Sequence, residues 1–238
     1  MGQARLSPWR SRAGCRLALG ARREERLSEA RVEIEALGWR CSLFGPTCVT
    51  RRTCGRLSAR RGALGPGGRA CQQRGLQRVQ AFVDTAWSIR DQMETNYLGS
   101  VYAIKAVLED MMPRRSGHIF NIASVVAKVP TPNYAAYSAS KAAIDSLSAT
   151  LRAELSQYGI EVTAVHPSAT NTEFWQNTPT ARASSRLAQL IMQQPEAVAS
   201  AVVRAARRPR AEVYPQFGTR LLPIFRAVFA PFFRLGLR

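Results

Sequence analysis

Apolar and polar positions keep a regular order in only part of this chain, from about residue 85 onward. There, "TAWSIRDQMETNYLGSVYAIKAVLEDMMP" carries apolar residues at helical spacing up to Pro113, which predicts one long helix. "GHIFNIAS" is a short, nearly unbroken apolar run, the pattern of a strand buried on both faces. A loop with two prolines, "VPTPN", leads into "YAAYSASKAAIDSLSATLRAELSQYG", a helix rich in Ala, Ser and Leu that Gly159 terminates. "IEVTAVHP" predicts a second buried strand, "SRLAQLIM" and "PEAVASAVVRAARR" two helices, and "AEVYP" a short strand. Strand, helix, strand in this rhythm implies parallel β-α-β units, hence an α/β fold with a doubly wound parallel sheet.

The first third follows a different pattern. "CRLALGARREERLSEARVEIEALG" predicts a strand running into a charged helix that stops at Gly38. Between Arg40 and Arg78 no period of 2 or 3.6 persists, and the chain has no internal repeat.

Candidate chemistry collects around the second buried helix. Tyr137 and Lys141 are four residues apart, so they share a helix face. Ser124 lies thirteen residues before Tyr137, at the end of a buried strand, where parallel sheets bind ligands. A free phenol titrates near ~10, too high for ready proton exchange at neutral pH. A nearby ammonium favours the phenolate, and a serine hydroxyl can hydrogen-bond the oxygen on which charge changes.

These residues, with the run "NIASVVAKVPTPNYAAYSASKAAIDSLSATLRAELSQYGIEVTAVHPSATNTEF", resemble the short-chain dehydrogenase/reductase family, across residues 84–238 and, less closely, 15–38. The resemblance implies a single Rossmann-like domain over residues 1–238. It implies catalytic roles for Ser124, Tyr137 and Lys141, and for Asn96 in "METNYLGS" as support for a water relay to Lys141. Pro167 through Thr172 correspond to the Pro-Gly-x-x-x-Thr that contacts the nicotinamide, with Tyr137 and Lys141 on the ribose side. Ser168 and Ala127 depart from glycines usual in the family. The implied reaction is hydride transfer between NADP(H) and a small-molecule alcohol or carbonyl. Cofactor choice falls on Arg22 at the end of the second strand. An acidic residue there accepts from a ribose 2′-hydroxyl, whereas an arginine accommodates a 2′-phosphate, so NADP(H) is favoured over NAD(H). A solvated helix start, "RREER", is the plainer reading of Arg22.

The family also needs a first strand with a glycine-rich turn, whose amides meet the pyrophosphate, and an Asn-Asn-Ala-Gly after the fourth strand. The sequence contains neither, and the composition of the first third changes accordingly. Residues 1–80 hold 17 Arg, no Lys and 5 acidic residues, and nine arginines stand between Glu35 and Asp84 with no acidic residue among them. One coding of "ALGPGGRACQQRG", Ala63 to Gly75, read one nucleotide later gives Arg-Trp-Gly-Arg-Val-Asp-Val-Leu-Val-Asn-Asn-Ala-Gly, the missing fourth strand and its motif. A coding of "RLSPWRS" and the arginine after it, read two nucleotides in, gives Thr-Val-Ala-Leu-Ala-Leu-Ala, a good first helix, with Met1 and Gly2 as the tail of the glycine turn. "PTCVT" resembles the family's Asp-Val-Thr adenine contact, with Cys48 in the place of aspartate. The expectation is that residues 1–14 and 40–78 are out-of-frame segments of a dehydrogenase gene. The alternative is a genuine basic loop, and with it a catalytically inactive interaction protein with an arginine-rich first third.

Charge and cysteines narrow the other classes. The net charge of +18 would suit nucleic acid, but no aromatic residue interleaves the arginines from Cys48 to Val79, so nucleic acid is disfavoured as a partner. Five cysteines without a Cys-x-x-Cys pair argue against both a zinc site and a disulfide scaffold. No apolar run is long enough to span a bilayer, and the start lacks an apolar secretory stretch, so the cytoplasm is expected; a homo-oligomer is expected of the folded chain. The tail over 215–238 is apolar with spaced arginines. Pro223 and Pro231 interrupt it, which favours packing on the body or another subunit over contact with a membrane surface.

Overall fold

The structure, a computed structural model, describes residues 89–129, 131–172 and 192–221 with their side chains. It also describes the backbones of three strands at 16–20, 40–44 and 69–72, and the single residues Val32 and Phe82. The strands are β1 (Arg16–Gly20), β2 (Arg40–Phe44), β3 (Arg69–Gln72), β4 (Gly117–Ile122), β5 (Ile160–Val165) and β6 (Glu212–Val213). The helices are α1 (Ile89–Met93), α2 (Gly99–Met111), α3 (Ala135–Ser156) and α4 (Pro195–Arg207). Every strand pairing is parallel.

β4 and β5 are the centre of a four-stranded sheet of order β3-β4-β5-β6. Their side chains alternate between two apolar layers, as a pleated strand requires. Phe120 and Val165 pack with Ala201, Val202, Ala205 and Ala206 of α4 and with Val213 of β6. Ile119, Ile160 and Val162 pack on the other side with Ile104 and Met111 of α2 and Leu155 of α3. Each of the larger side chains among these contributes about 1.5–3 kcal/mol by leaving water, so helices on both faces hold the sheet. The expected α/β, doubly wound parallel architecture is the one observed.

β1 and β2 pair with each other in a separate two-stranded sheet. Among the described residues no strand joins β1 to β3.

Two features differ from the sequence pattern. The long helix predicted up to Pro113 runs without a gap over residues 89–111, but it is not α-helical throughout: its turns widen into a π-helical segment, Glu94–Leu98, between α1 and α2. β2 and β3 both lie in the stretch 40–78, which showed no periodicity; there the backbone pairs with neighbouring strands whatever the side-chain order. The charged helix expected before Gly38 and the helix expected over "SRLAQLIM" lie, but for Val32 and Met192, outside the described residues. Residues 1–14 and 222–238 lie outside them too. No helix among the described residues is long and apolar enough to cross a membrane.

Gly159 is where a special backbone is required. Its φ is +65°, and a Cβ there would lie 2.4 Å from the Arg115 carbonyl oxygen. The glycine lets the chain turn from α3 directly into β5.

Candidate active site

The register Ile122↔Val165 brings the carboxyl ends of β4 and β5 to the same level. Ser124 and Pro167, each two residues further on, therefore meet. Val125 N donates to Pro167 O at 3.0 Å, and Ser124 Oγ lies 3.4 Å from the same oxygen. Ser124 is extended and caps a short 3₁₀ turn, Val125–Ala127, its Oγ accepting from Val126 N at 3.4 Å. Its hydroxyl also hydrogen-bonds the side chain of Tyr137.

Tyr137 and Lys141 occupy the first two turns of α3, and both are buried. Lys141 Nζ donates to Ile122 O at 2.8 Å and stands 5.7 Å from the centre of the Tyr137 ring. Burial lowers the Lys141 ammonium to about 8. Burial pushes the Tyr137 phenol up, against the opposing hydrogen bond from Ser124. The expectation that the ammonium lowers the phenol is thus corrected: desolvation sets the direction, and the ammonium donates to a strand carbonyl.

Asn96 sits in the π-helical segment, buried. Its Nδ2 donates to Ser140 Oγ at 2.9 Å, and Ser140 Oγ donates to Tyr137 O at 2.7 Å. Ser100 Oγ returns to Asn96 O at 2.6 Å. The wider turn of the π segment and the small residue Ser100 accommodate Asn96 against α3, and π-bulges of this kind are frequent at functional sites. Asn96 therefore braces the turn that holds Tyr137 and Lys141.

Pro167 joins this group through Ser124. Thr172 hydrogen-bonds within its own loop, its Oγ1 lying 3.4 Å from Thr170 O. Gln193 clamps that loop, with Nε2 donating to Ser168 O at 3.2 Å and Thr170 Oγ1 at 3.0 Å. Neither Ser168 nor Ala127 has a positive φ, so the backbone accepts both departures from glycine. Arg22 lies outside the described residues.

Ser140, Gln193 and His166 were missed at the level of sequence. A serine beside Lys141 and a glutamine before a helix have no distinctive spacing. His166 carried one signal, a polar ring at the end of an otherwise apolar strand.

A parallel sheet with helices on both faces thus gathers a serine, a tyrosine and a lysine at its carboxyl edge. Residues 68–183 match the family described as short chain dehydrogenase. Dehydrogenase/reductase SDR family member 7B of Xenopus laevis is 35% identical over 165 residues, covering 66% of this chain and 50% of that protein. The chain thus spans about half the length of that relative. Among solved structures, a variant of actinorhodin polyketide ketoreductase with NADPH superposes with a TM-score of 0.74 at 26% identity, over 84% of this chain and 85% of that one. NAD+-bound xylitol dehydrogenase superposes with a TM-score of 0.73 over 83% and 86%, and at 20% identity it shares the fold alone.

Proposed function

We propose that this chain carries the active site of an NADP(H)-linked oxidoreductase acting on a small alcohol or carbonyl substrate. The observation that carries this reading is the meeting of Ser124, Tyr137 and Lys141 at the adjoining ends of β4 and β5. The nicotinamide end of the cofactor fits the residues present: Lys141 is a buried ammonium able to donate to a ribose hydroxyl, and Pro167, which opens the Pro167–Thr172 loop, meets Ser124. The pyrophosphate end depends on a glycine-rich turn that the sequence does not contain.

When bound, the reduced nicotinamide supplies a hydride. Tyr137 gives its phenolic proton to the substrate oxygen, Ser124 Oγ orients that oxygen, and Lys141 holds the ribose. A phenol held up by burial keeps its proton until charge develops on the oxygen beside it. The preference for NADP(H) rests on Arg22 and agrees with the NADPH of the ketoreductase, while the xylitol dehydrogenase binds NAD+.

Turnover and NADPH affinity, measured with and without Tyr137→Phe in a chain with the first strand and glycine turn supplied and residues 63–75 read in the shifted frame, test the assignment. Loss of turnover with affinity retained is expected, because only the proton donor is removed. Retained turnover sinks it.

A further inference from the structure

His166 follows the last residue of β5 and is fully buried. Its Nδ1 lies 3.2 Å from the carbonyl oxygen of Ser124. A carbonyl only accepts, so Nδ1 carries the hydrogen of that bond. On its other side Nε2 approaches Asp145 Oδ1, one helical turn after Lys141, to 3.2 Å, a close approach and not an aligned hydrogen bond. Asp145 Oδ2 takes Lys128 Nζ at 2.7 Å. Lys128 closes the 3₁₀ turn that Ser124 begins, its backbone N donating to Val125 O at 3.0 Å. The contacts form a ring from Ser124 through His166, Asp145 and Lys128 back along the turn to Ser124.

The ring is anchored from a third element. Lys128 Nζ also reaches Glu212 Oε1 at 2.9 Å, and Tyr214 stacks on His166 with centroids 4.8 Å apart and planes at 17°. Asp145, His166 and Glu212 hold ligand atoms within 4.8 Å of one another, a grouping that could suit a metal. The Lys128 ammonium already touches both carboxylates, however, and is the cation of this cluster.

Ser124 needs such a tether. Its hydroxyl has two long contacts of 3.4 Å, to Pro167 O and Val126 N, besides its bond to Tyr137. We propose that His166 is the positioning residue of Ser124: it fixes the Ser124 main chain from β5, while Asp145 and Lys128 fix His166, so that the serine hydroxyl meets Tyr137. The proposal rests on the reading of Ser124 and Tyr137 as the reacting pair.

The full chain, labelled with ¹³C at tyrosine Cζ, provides the test. The Tyr137 resonance is assigned by its loss in Tyr137→Phe, and its displacement in Ser124→Ala reports the broken hydrogen bond. An asparagine amide nitrogen takes roughly the place of histidine Nδ1, and a glutamine amide nitrogen that of Nε2. His166→Asn should therefore leave the Tyr137 resonance near wild type, and His166→Gln should move it to its position in Ser124→Ala. Where turnover is measured, His166→Gln should lower kcat by about 10–100-fold, the usual size for a supporting contact, with KM little changed. Asp145→Asn and Lys128→Met, on less buried side chains, should move the resonance in the same direction by less, and they decide the matter if the His166 variants do not fold. A Tyr137 resonance that stays in place in His166→Gln and Asp145→Asn, while Ser124→Ala moves it, overturns the proposal. The resonance does not depend on turnover, so failure of the catalytic reading (turnover kept in Tyr137→Phe) is distinguishable from failure of the tether.

Discussion

Lys141 Nζ donates to the carbonyl of Ile122 at 2.8 Å, a bond that ties the helix holding Tyr137 to the end of the strand leading to Ser124. A strand carbonyl compensates a buried ammonium only in part, which is why burial lowers Lys141 to about 8.

That shift has a defined consequence for stability. An unfolded lysine titrates near ~10.4. Above about 8 the unfolded chain holds more protons than the folded one, so stability rises with pH towards ~10 and is lost again as pH falls through about 8. Tyr137 acts in the opposite sense: its raised phenol makes stability fall once pH passes the ordinary tyrosine value of ~10. Urea midpoints across this range should show a rise on the order of 2–3 kcal/mol up to pH ~10 that is absent in Lys141→Met. An equal slope in the variant would mean that another group titrates.

The link between Asn96 and Ser140 should show as coupling. Each partner removed alone leaves a buried polar atom without its bond, at about 1–3 kcal/mol. The double variant Asn96→Ala/Ser140→Ala should then cost about 1 kcal/mol less than the sum of the two. Strict additivity in denaturant unfolding would show that the two side chains do not act together.

The body of the fold was legible because buried parallel strands and an Ala-rich helix between them leave an unambiguous pattern, as in "GHIFNIAS" and "IEVTAVHP". Ser124, Tyr137 and Lys141 were legible because strand end and helical spacing fix where they meet. The π-helical segment was not, since its cause is a contact between Asn96 and a residue 44 positions away. His166 was not, for the same reason: its partners Ser124 and Asp145 lie on two other elements. β2 and β3 were hidden because "RCSLF" and "RACQ" lack the alternation of half-buried strands and the apolar continuity of buried ones.

Gly159→Ala should be among the costlier single changes in the body. It forces a side chain into the left-handed region and drives Cβ to 2.4 Å from the Arg115 carbonyl, where backbone must move. The left-handed penalty alone is about 1–2 kcal/mol, so a fall in Tm of several degrees is expected by thermal unfolding. An unchanged Tm would show that the turn between α3 and β5 relaxes freely.

Arg22→Asp tests cofactor choice where the sequence located it. Removing a charge-assisted contact to a 2′-phosphate costs about 1.5–3 kcal/mol of NADPH affinity, and the carboxylate can accept from the ribose hydroxyl of NADH. Paired titrations of a chain with the first strand, the glycine turn and the reading frame restored should show the preference moving toward NADH. An unaltered ratio would make Arg22 a solvated helix-start residue.

The last prediction concerns residues 40–78. The break between the β1–β2 pair and the β3–β6 sheet falls where a first strand would supply hydrogen bonds to both sides. Unmade buried hydrogen bonds cost about 1–3 kcal/mol each, against a total of about 5–15 kcal/mol for a domain. β3, Arg69–Gln72, coincides with Val-Leu-Val-Asn of the shifted reading, an apolar run ending in the motif's first asparagine, so the backbone position suits a strand that the present side chains serve poorly. Limited proteolysis should therefore cut within 40–78 before it cuts the sheet β4–β6, and NADPH should not bind saturably to the 238-residue chain. A chain with the first strand and glycine turn supplied, and residues 63–75 read in the shifted frame, should resist cleavage there and bind NADPH. Tight, saturable NADPH binding by the unaltered chain would overturn the out-of-frame reading and make the arginine-rich stretch a genuine part of the fold.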